Sequence, residues 1–166
     1  LRANYISERT DLKNKKILDV ACGGGLLAEA LFSEGAKVSG VDISDVAIHT
    51  AKNHAKKGNI DISYILGEAE NLLPENSEEF DVVTCLEAIE HVPDPNQLVK
   101  TCSDLCKKNG DIFFSTINRN PKSFLFAIVG AEYILNLLPK GTHEYQKFIK
   151  PSELIFMMEN NGLKIQ

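Results

Sequence analysis

No two of the four cysteines in this chain form a C-x-x-C pair. Cys22, Cys85, Cys102 and Cys106 have spacings that suit no zinc site, and three of them fall in apolar strand or helix patterns. They read as reduced core thiols, which points to a reducing compartment. A secretory leader is missing as well: Leu1-Arg2-Ala3-Asn4-Tyr5 has no apolar core. The first residue is not Met, so the sequence reads as a fragment whose N-terminal targeting stays open. No apolar run reaches the roughly 20 residues of a membrane span. The nearest, residues 123–138, is too short and is interrupted by Glu132. Positive charge is in deficit: 18 Lys and Arg stand against 23 Asp and Glu, a net charge of −5, which argues against a nucleic-acid phosphate partner. Internal repeats and low-complexity linkers are absent too.

What is present fits one soluble globular domain of 166 residues, with 43% hydrophobic and 25% charged content. Strand and helix patterns alternate throughout, which predicts an α/β fold with a mainly parallel sheet and helices on both faces. Strands are expected at about 16–21, 37–41, 62–66, 80–85 and 112–117, with another beginning at 163–166. Helices are expected at 25–34, after Ser44, after Asp94-Pro95 and after Ser152, each of these serines and aspartates being a suitable N-cap. Ligands of such a sheet sit at the carboxyl ends of its strands. Those ends are 19–25, Asp42, 67–70, 86–91 and 116–118, and every unusual polar cluster falls at one of them.

The first of these clusters says most. Asp19-Val20-Ala21-Cys22-Gly23-Gly24-Gly25 follows the apolar run Lys16-Ile17-Leu18, and Asp42 ends the next apolar run. A strand, a glycine turn, a helix, a strand and a terminal acid form a mononucleotide-binding unit. The glycines let the backbone approach the ligand, and the acid accepts from ribose hydroxyls. Two cofactors compete. Gly23-Gly24-Gly25-Leu26-Leu27-Ala28 satisfies the loose G-x-G-x-x-A pattern of NAD-dependent oxidoreductases. Asp19 favours S-adenosylmethionine, because a carboxylate repels a pyrophosphate and stabilises an ammonium and a sulfonium. Asp19 could instead cap the turn through side-chain hydrogen bonds.

Further stretches carry a resemblance. They are Asp81-Val82-Val83-Thr84-Cys85-Leu86-Glu87-Ala88-Ile89-Glu90-His91-Val92-Pro93-Asp94-Pro95 and Phe114-Ser115-Thr116-Ile117-Asn118-Arg119-Asn120. Val129-Gly130-Ala131-Glu132-Tyr133-Ile134-Leu135, Pro139-Lys140-Gly141-Thr142-His143 and Lys147-Phe148-Ile149-Lys150-Pro151 follow. The sequence resembles the class I S-adenosylmethionine-dependent methyltransferases, and more closely the ubiquinone-biosynthesis O-methyltransferases. The resemblance implies that Ala21 and Gly23 line the methionine moiety, Asp42 holds the ribose and Leu86 touches the cofactor. It places Gly67-Glu68-Ala69 near the adenine. Together with Asp19 and Gly25 of the turn, these form the expected cofactor site. Family members usually have glycine where Ala21 stands. The family chain also extends past both ends of this one, with an upstream arginine near the cofactor and further C-terminal strands.

The implied reaction methylates a catechol or phenol hydroxyl of a polyprenylated ubiquinone precursor, of the 2-polyprenyl-6-hydroxyphenol and 3-demethylubiquinol type. A divalent cation chelated by both catechol oxygens would lower the hydroxyl pKa. If the chain makes a helical turn after the fourth strand, Glu87, Glu90 and His91 share a face at i, i+3 and i+4 and could hold Mg²⁺. The family's metal ligands match these three. His91 could otherwise orient substrate or pack on the sheet. His143 is a candidate base or substrate contact, or a loop histidine with a local hydrogen bond. The apolar stretch 123–138, flanked by Arg119, Lys122 and Lys140, reads either as an interfacial element for a prenyl tail and anionic lipid, or as a lid or dimer contact. It belongs to an insert at about 119–148. The expected location is the cytoplasm or the cytoplasmic side of the inner membrane, the matrix side in a eukaryote. A ubiquinone-biosynthesis complex is a possible partner. Rival readings are a methyltransferase of another small molecule, an NAD-dependent oxidoreductase and a catalytically inactive cofactor-binding module.

Overall fold

Residues 2–116 and 149–166 are described by the structure, a computed structural model. The insert at 119–148, with His143, Arg119, Lys122 and Lys140, falls within 117–148 and lies outside the described residues. Five apolar runs form strands β1 (Lys16–Val20), β2 (Lys37–Asp42), β3 (Ser63–Leu66), β4 (Phe80–Leu86) and β5 (Cys106–Ser115). They lie in the order β3-β2-β1-β4-β5, and every pairing is parallel. Helices α1 (Arg2–Ser7), α2 (Leu26–Ser33), α3 (Asp45–Gly58), α4 (Leu73–Asn76), α5 (Pro95–Leu105) and α6 (Pro151–Asn160) accompany the sheet.

The strand runs are apolar on both faces because both faces are covered. Ile17, Val38 and Val82 pack with Ala28 and Leu31 of α2 and Ile48, Ala51 and Ala55 of α3. Leu18, Val41 and Val83 pack with Leu98, Val99, Cys102 and Leu105 of α5. All four cysteines are buried and free, as the sequence predicts. Among the described residues no helix is long and apolar enough to cross a membrane.

Two predicted caps form: Ser44 Oγ accepts from the Ala47 N–H at 3.3 Å, and Asp94 Oδ1 accepts from the Gln97 N–H at 3.0 Å. The third does not. Ser152 lies inside α6, whose entry is closed by the Lys150 N–H donating to Glu153 Oε2 at 2.9 Å. β5 begins six residues before its predicted start at 112. Its polar opening, Lys107-Lys108-Asn109-Gly110, reads as a loop, yet it is accommodated by a register irregularity between Phe80 and Val82 of β4. The strand expected at 163–166 is not formed among the described residues, and Leu163 packs instead against the α5 side of the core.

The strand order reverses direction from β1, where β2 leads one way and β4 the other. In parallel sheets this switch point opens a crevice at the carboxyl ends, and ligands bind there.

Candidate active site

A cavity of about 530 Å³ opens over the carboxyl ends of β1 to β4. Its wall includes Ala21 after β1, Asp42 at the end of β2, Gly67 and Glu68 after β3, and Glu87 and His91 after β4. A larger hollow of about 910 Å³ lies between β5 and α6, lined by Lys107, Lys108, Met158 and Lys164. It collects none of the strand ends that carry unusual polar residues, so the smaller cavity is the candidate site.

The turn after β1 is built on left-handed backbone. Ala21 has φ +56°, Gly23 +55° and Gly25 +83°. Gly25 is required by packing: a Cβ there would lie 2.3 Å from the Tyr64 hydroxyl. At Gly23 a Cβ would meet nothing within 4 Å, so its need for glycine is conformational. Ala21 has no such freedom and holds a conformation that costs an L-residue about 1–2 kcal/mol. The Gly23 N–H donates to Asp42 Oδ2 at 2.8 Å, and the Ser44 N–H donates to Asp42 Oδ1 at 2.8 Å. The carboxylate that ends β2 is thereby fixed in orientation at the cavity wall.

Asp19 sits beneath this turn, 3% exposed. Its Oδ1 accepts from Thr84 Oγ1 at 2.7 Å, while Oδ2 has no hydrogen-bond partner. Burial raises its pKa to about 7, with the Thr84 hydrogen bond opposing and the Asp42 charge adding to the rise. An unsatisfied buried carboxylate oxygen marks a place where a cation or donor is accommodated. That chemistry fits the positively charged end of S-adenosylmethionine. Glu68 lies in the cavity wall beside Glu70, which accepts from Thr101 Oγ1 at 3.3 Å. Of the predicted cofactor residues, Ala21, Asp42 and Glu68 therefore line the cavity. Asp19, Gly23, Gly25 and Leu86 are not among its lining residues: Gly23 and Gly25 belong to the turn after β1, and Leu86 is the last residue of β4.

The helical turn expected after β4 does not form as drawn. Glu87 takes φ +57°, which turns the chain before a short 3₁₀ turn at Ile89–His91. Glu87 and His91 line the cavity, whereas Glu90 is not among its lining residues and is 3% exposed. Ser115 Oγ donates to Glu87 Oε1 at 2.7 Å, and Thr116 Oγ1 donates to Glu90 Oε2 at 2.8 Å. Arg2 Nη2 lies 3.5 Å from Glu87 Oε1. Among the described residues no three His, Cys, Asp or Glu side chains are gathered to hold a metal ion. As placed, Glu87, Glu90 and His91 do not fit a divalent cation.

Sequence reasoning did not single out Thr84, Ser115, Thr116 or Arg2 for these roles. A hydroxyl inside the apolar run Val82-Val83-Thr84-Cys85 was the available signal for Thr84. Two consecutive hydroxyls at a strand's carboxyl end were the signal for Ser115 and Thr116.

A parallel sheet of this order, with a glycine turn after its first strand and an anchored acid ending its second, is the frame of a nucleoside-cofactor site, and the family match makes it that of a class I S-adenosylmethionine-dependent methyltransferase. Residues 18–114 match the family described as Methyltransferase domain. The fold is similar to that of the YcgJ protein from Bacillus subtilis, with a TM-score of 0.77 at 21% identity over 99% of this chain and 68% of that one. A putative methyltransferase from Bacillus halodurans gives a TM-score of 0.75 at 24% identity over 99% of this chain and 68% of that one.

Sequence relatives narrow the class. The chain is 55% identical over its whole length to a ubiquinone biosynthesis O-methyltransferase of Saccharophagus degradans, covering 70% of that protein. It is 51% identical over its whole length to one of Pseudomonas syringae pv. tomato, covering 72% of it. It is 52% identical over 99% of its length to one of Coxiella burnetii, covering 70% of it. The chain belongs to the ubiquinone biosynthesis O-methyltransferase family, and its cofactor is S-adenosylmethionine rather than NAD.

Proposed function

We propose that this protein methylates a hydroxyl of a polyprenylated catechol or phenol in ubiquinone biosynthesis. The observation that carries the reading is the wall of the cavity after β4, where the Glu87 carboxylate and His91 lie across from the nucleoside side marked by Asp42. A phenol is a weak nucleophile until its proton is shared with a base, and a carboxylate and an imidazole are suitable acceptors.

S-adenosylmethionine, when bound, supplies a methyl group on a sulfonium that is open to in-line attack. The protein's own residues bind and orient. Asp42, already held by two backbone N–H groups, offers its remaining lone pairs to the ribose hydroxyls. Glu68 borders the adenine side. Ala21 in the cavity wall would border the methionine portion, and the Asp19 carboxylate, with its unpaired Oδ2, would favour the cationic end. Glu87 or His91, both in the cavity wall, would accept the acceptor's hydroxyl proton. Holding both reactants in one cavity is the main source of acceleration available here.

Mg²⁺ is the finer part of the reading. The donor types are right, but the carboxylates are engaged by Ser115, Thr116 and Arg2, so a cation would need a rearranged loop. Turnover with and without Mg²⁺ and a chelator tests it. Unchanged activity in chelator removes the cation from the reaction. Contact with an anionic membrane surface or a ubiquinone-biosynthesis complex, and residence in the cytoplasm or at the inner membrane, remain proposals supported by the sequence of residues 119–148. A methyl-transfer assay with a short-tailed catechol tests the whole reading. Transfer to an unrelated small molecule alone, or cofactor binding without transfer, would favour the rivals.

A further inference from the structure

The loop after β4 holds two acids, and consecutive hydroxyls at the end of β5 take one each. Thr116 takes the buried Glu90, a contact that serves the packing of the loop. Ser115 takes Glu87, whose side chain is 34% exposed and lines the cavity. Glu87 is held twice by this one residue. Its N–H donates to the Ser115 carbonyl at 3.0 Å, and Ser115 Oγ donates to its Oε1 at 2.7 Å. Leu86 and Ser115 are register partners in the parallel β4–β5 pair, so the clamp falls on the first residue beyond β4.

The clamp holds Glu87 at φ +57°, a conformation that glycine adopts with less strain. A turn alone is met better by glycine, so a glutamate fastened there through both main chain and side chain points to a use for its carboxylate. The contacts from Ser115 and Arg2 both fall on Oε1, and among the described residues none meets Oε2. The strand order puts Asp42 on one side of β1 and Glu87 on the other. A nucleoside held at Asp42 therefore directs the rest of the cofactor across Ala21 toward Glu87.

We propose that Ser115 is a positioning residue for methyl transfer, aiming the Glu87 carboxylate at the acceptor hydroxyl. This rests on the reading that Glu87 faces the acceptor. Ser115→Ala should leave the affinity for S-adenosylhomocysteine within about twofold and lower kcat on a short-tailed catechol about tenfold or more, the scale of one hydrogen bond to a charged group. Ser115→Thr keeps the hydroxyl and should recover most of kcat. In a Glu87→Gln background, Ser115→Ala should have little further effect, because the residue acts through Glu87.

The test is this set of variants of the full-length protein, with kcat, KM and cofactor affinity measured for each. If Ser115→Ala does not fold, Ser115→Cys supplies the near-isosteric loss of a strong donor. A wild type active on the catechol whose serine variants keep full kcat overturns the inference alone, as does an undiminished Ser115→Ala effect in the Glu87→Gln background. A wild type that binds S-adenosylhomocysteine and does not methylate the catechol overturns the underlying reading, and the inference falls with it.

Discussion

Asp42 carries two loads at once. Its carboxylate binds the Gly23 and Ser44 N–H groups and faces the cofactor cavity. Asp42→Ala should weaken S-adenosylhomocysteine binding by about 1.5–3 kcal/mol, the range for hydrogen bonds to a charged group. Isothermal titration measures it, and unchanged affinity in a folded variant removes Asp42 from the site. Asp19 sets a pH dependence. Its pKa is about 7 in the fold, against an ordinary value of 3.8, because burial disfavours the charge. The folded state then binds more protons than the unfolded chain between those values, so this group's contribution to stability is present below pH 4 and is lost as pH rises to 7. The slope is at most about 1.4 kcal/mol per pH unit. Asp19→Asn should flatten that part of the stability profile in denaturant titrations from pH 4 to 7. An unaltered slope contradicts the assignment. At Ala21 the left-handed backbone costs about 1–2 kcal/mol and glycine's extra chain entropy about 0.5–1. Ala21→Gly should therefore stabilise the fold by about 0.5–1 kcal/mol, read from the denaturant midpoint.

At the level of elements, α3 depends on a side-chain cap as well as on its buried stripe. Ser44→Ala should cost about 1 kcal/mol of stability, since Oγ no longer accepts from the Ala47 N–H. No change in the midpoint would mean that water replaces the cap. Such caps, the apolar strands and the glycine turn were legible because each depends on neighbouring residues in the sequence. The loop after β4 was not. Its acids read as one helical face at i, i+3 and i+4, but Glu87 turns in the left-handed region and both acids find hydroxyls 26 to 28 residues away, in the last residue of β5 and the one after it. Likewise Gly25 reads as a cofactor-site glycine, and the sequence does not show that Tyr64 of β3 also crowds out a side chain there. Long-range partners decide both cases, and local spacing carries no trace of them.

Over the whole molecule, a net charge of −5 gives no general attraction to an anionic surface, so any membrane contact must be local. The candidate is the apolar stretch 123–138 with Arg119, Lys122 and Lys140 beside it. A prenyl tail meeting that stretch would bury apolar surface at about 25 cal/mol per Å². The full-length protein should bind anionic vesicles at low salt. Phe124→Asp with Phe126→Asp should reduce that binding and impair turnover on a prenylated catechol far more than on a tail-less one. Equal impairment of both substrates assigns the stretch a structural role. The central claim is narrower: the cavity over β1 to β4 transfers a methyl group to an aromatic hydroxyl. Its most direct test supplies the full-length protein with methyl-labelled S-adenosylmethionine and a short-tailed catechol and follows where the label goes. The account predicts label on a ring oxygen, with that product formed more slowly in Glu87→Gln while S-adenosylhomocysteine still binds. Tight cofactor binding with no label on the catechol would contradict it.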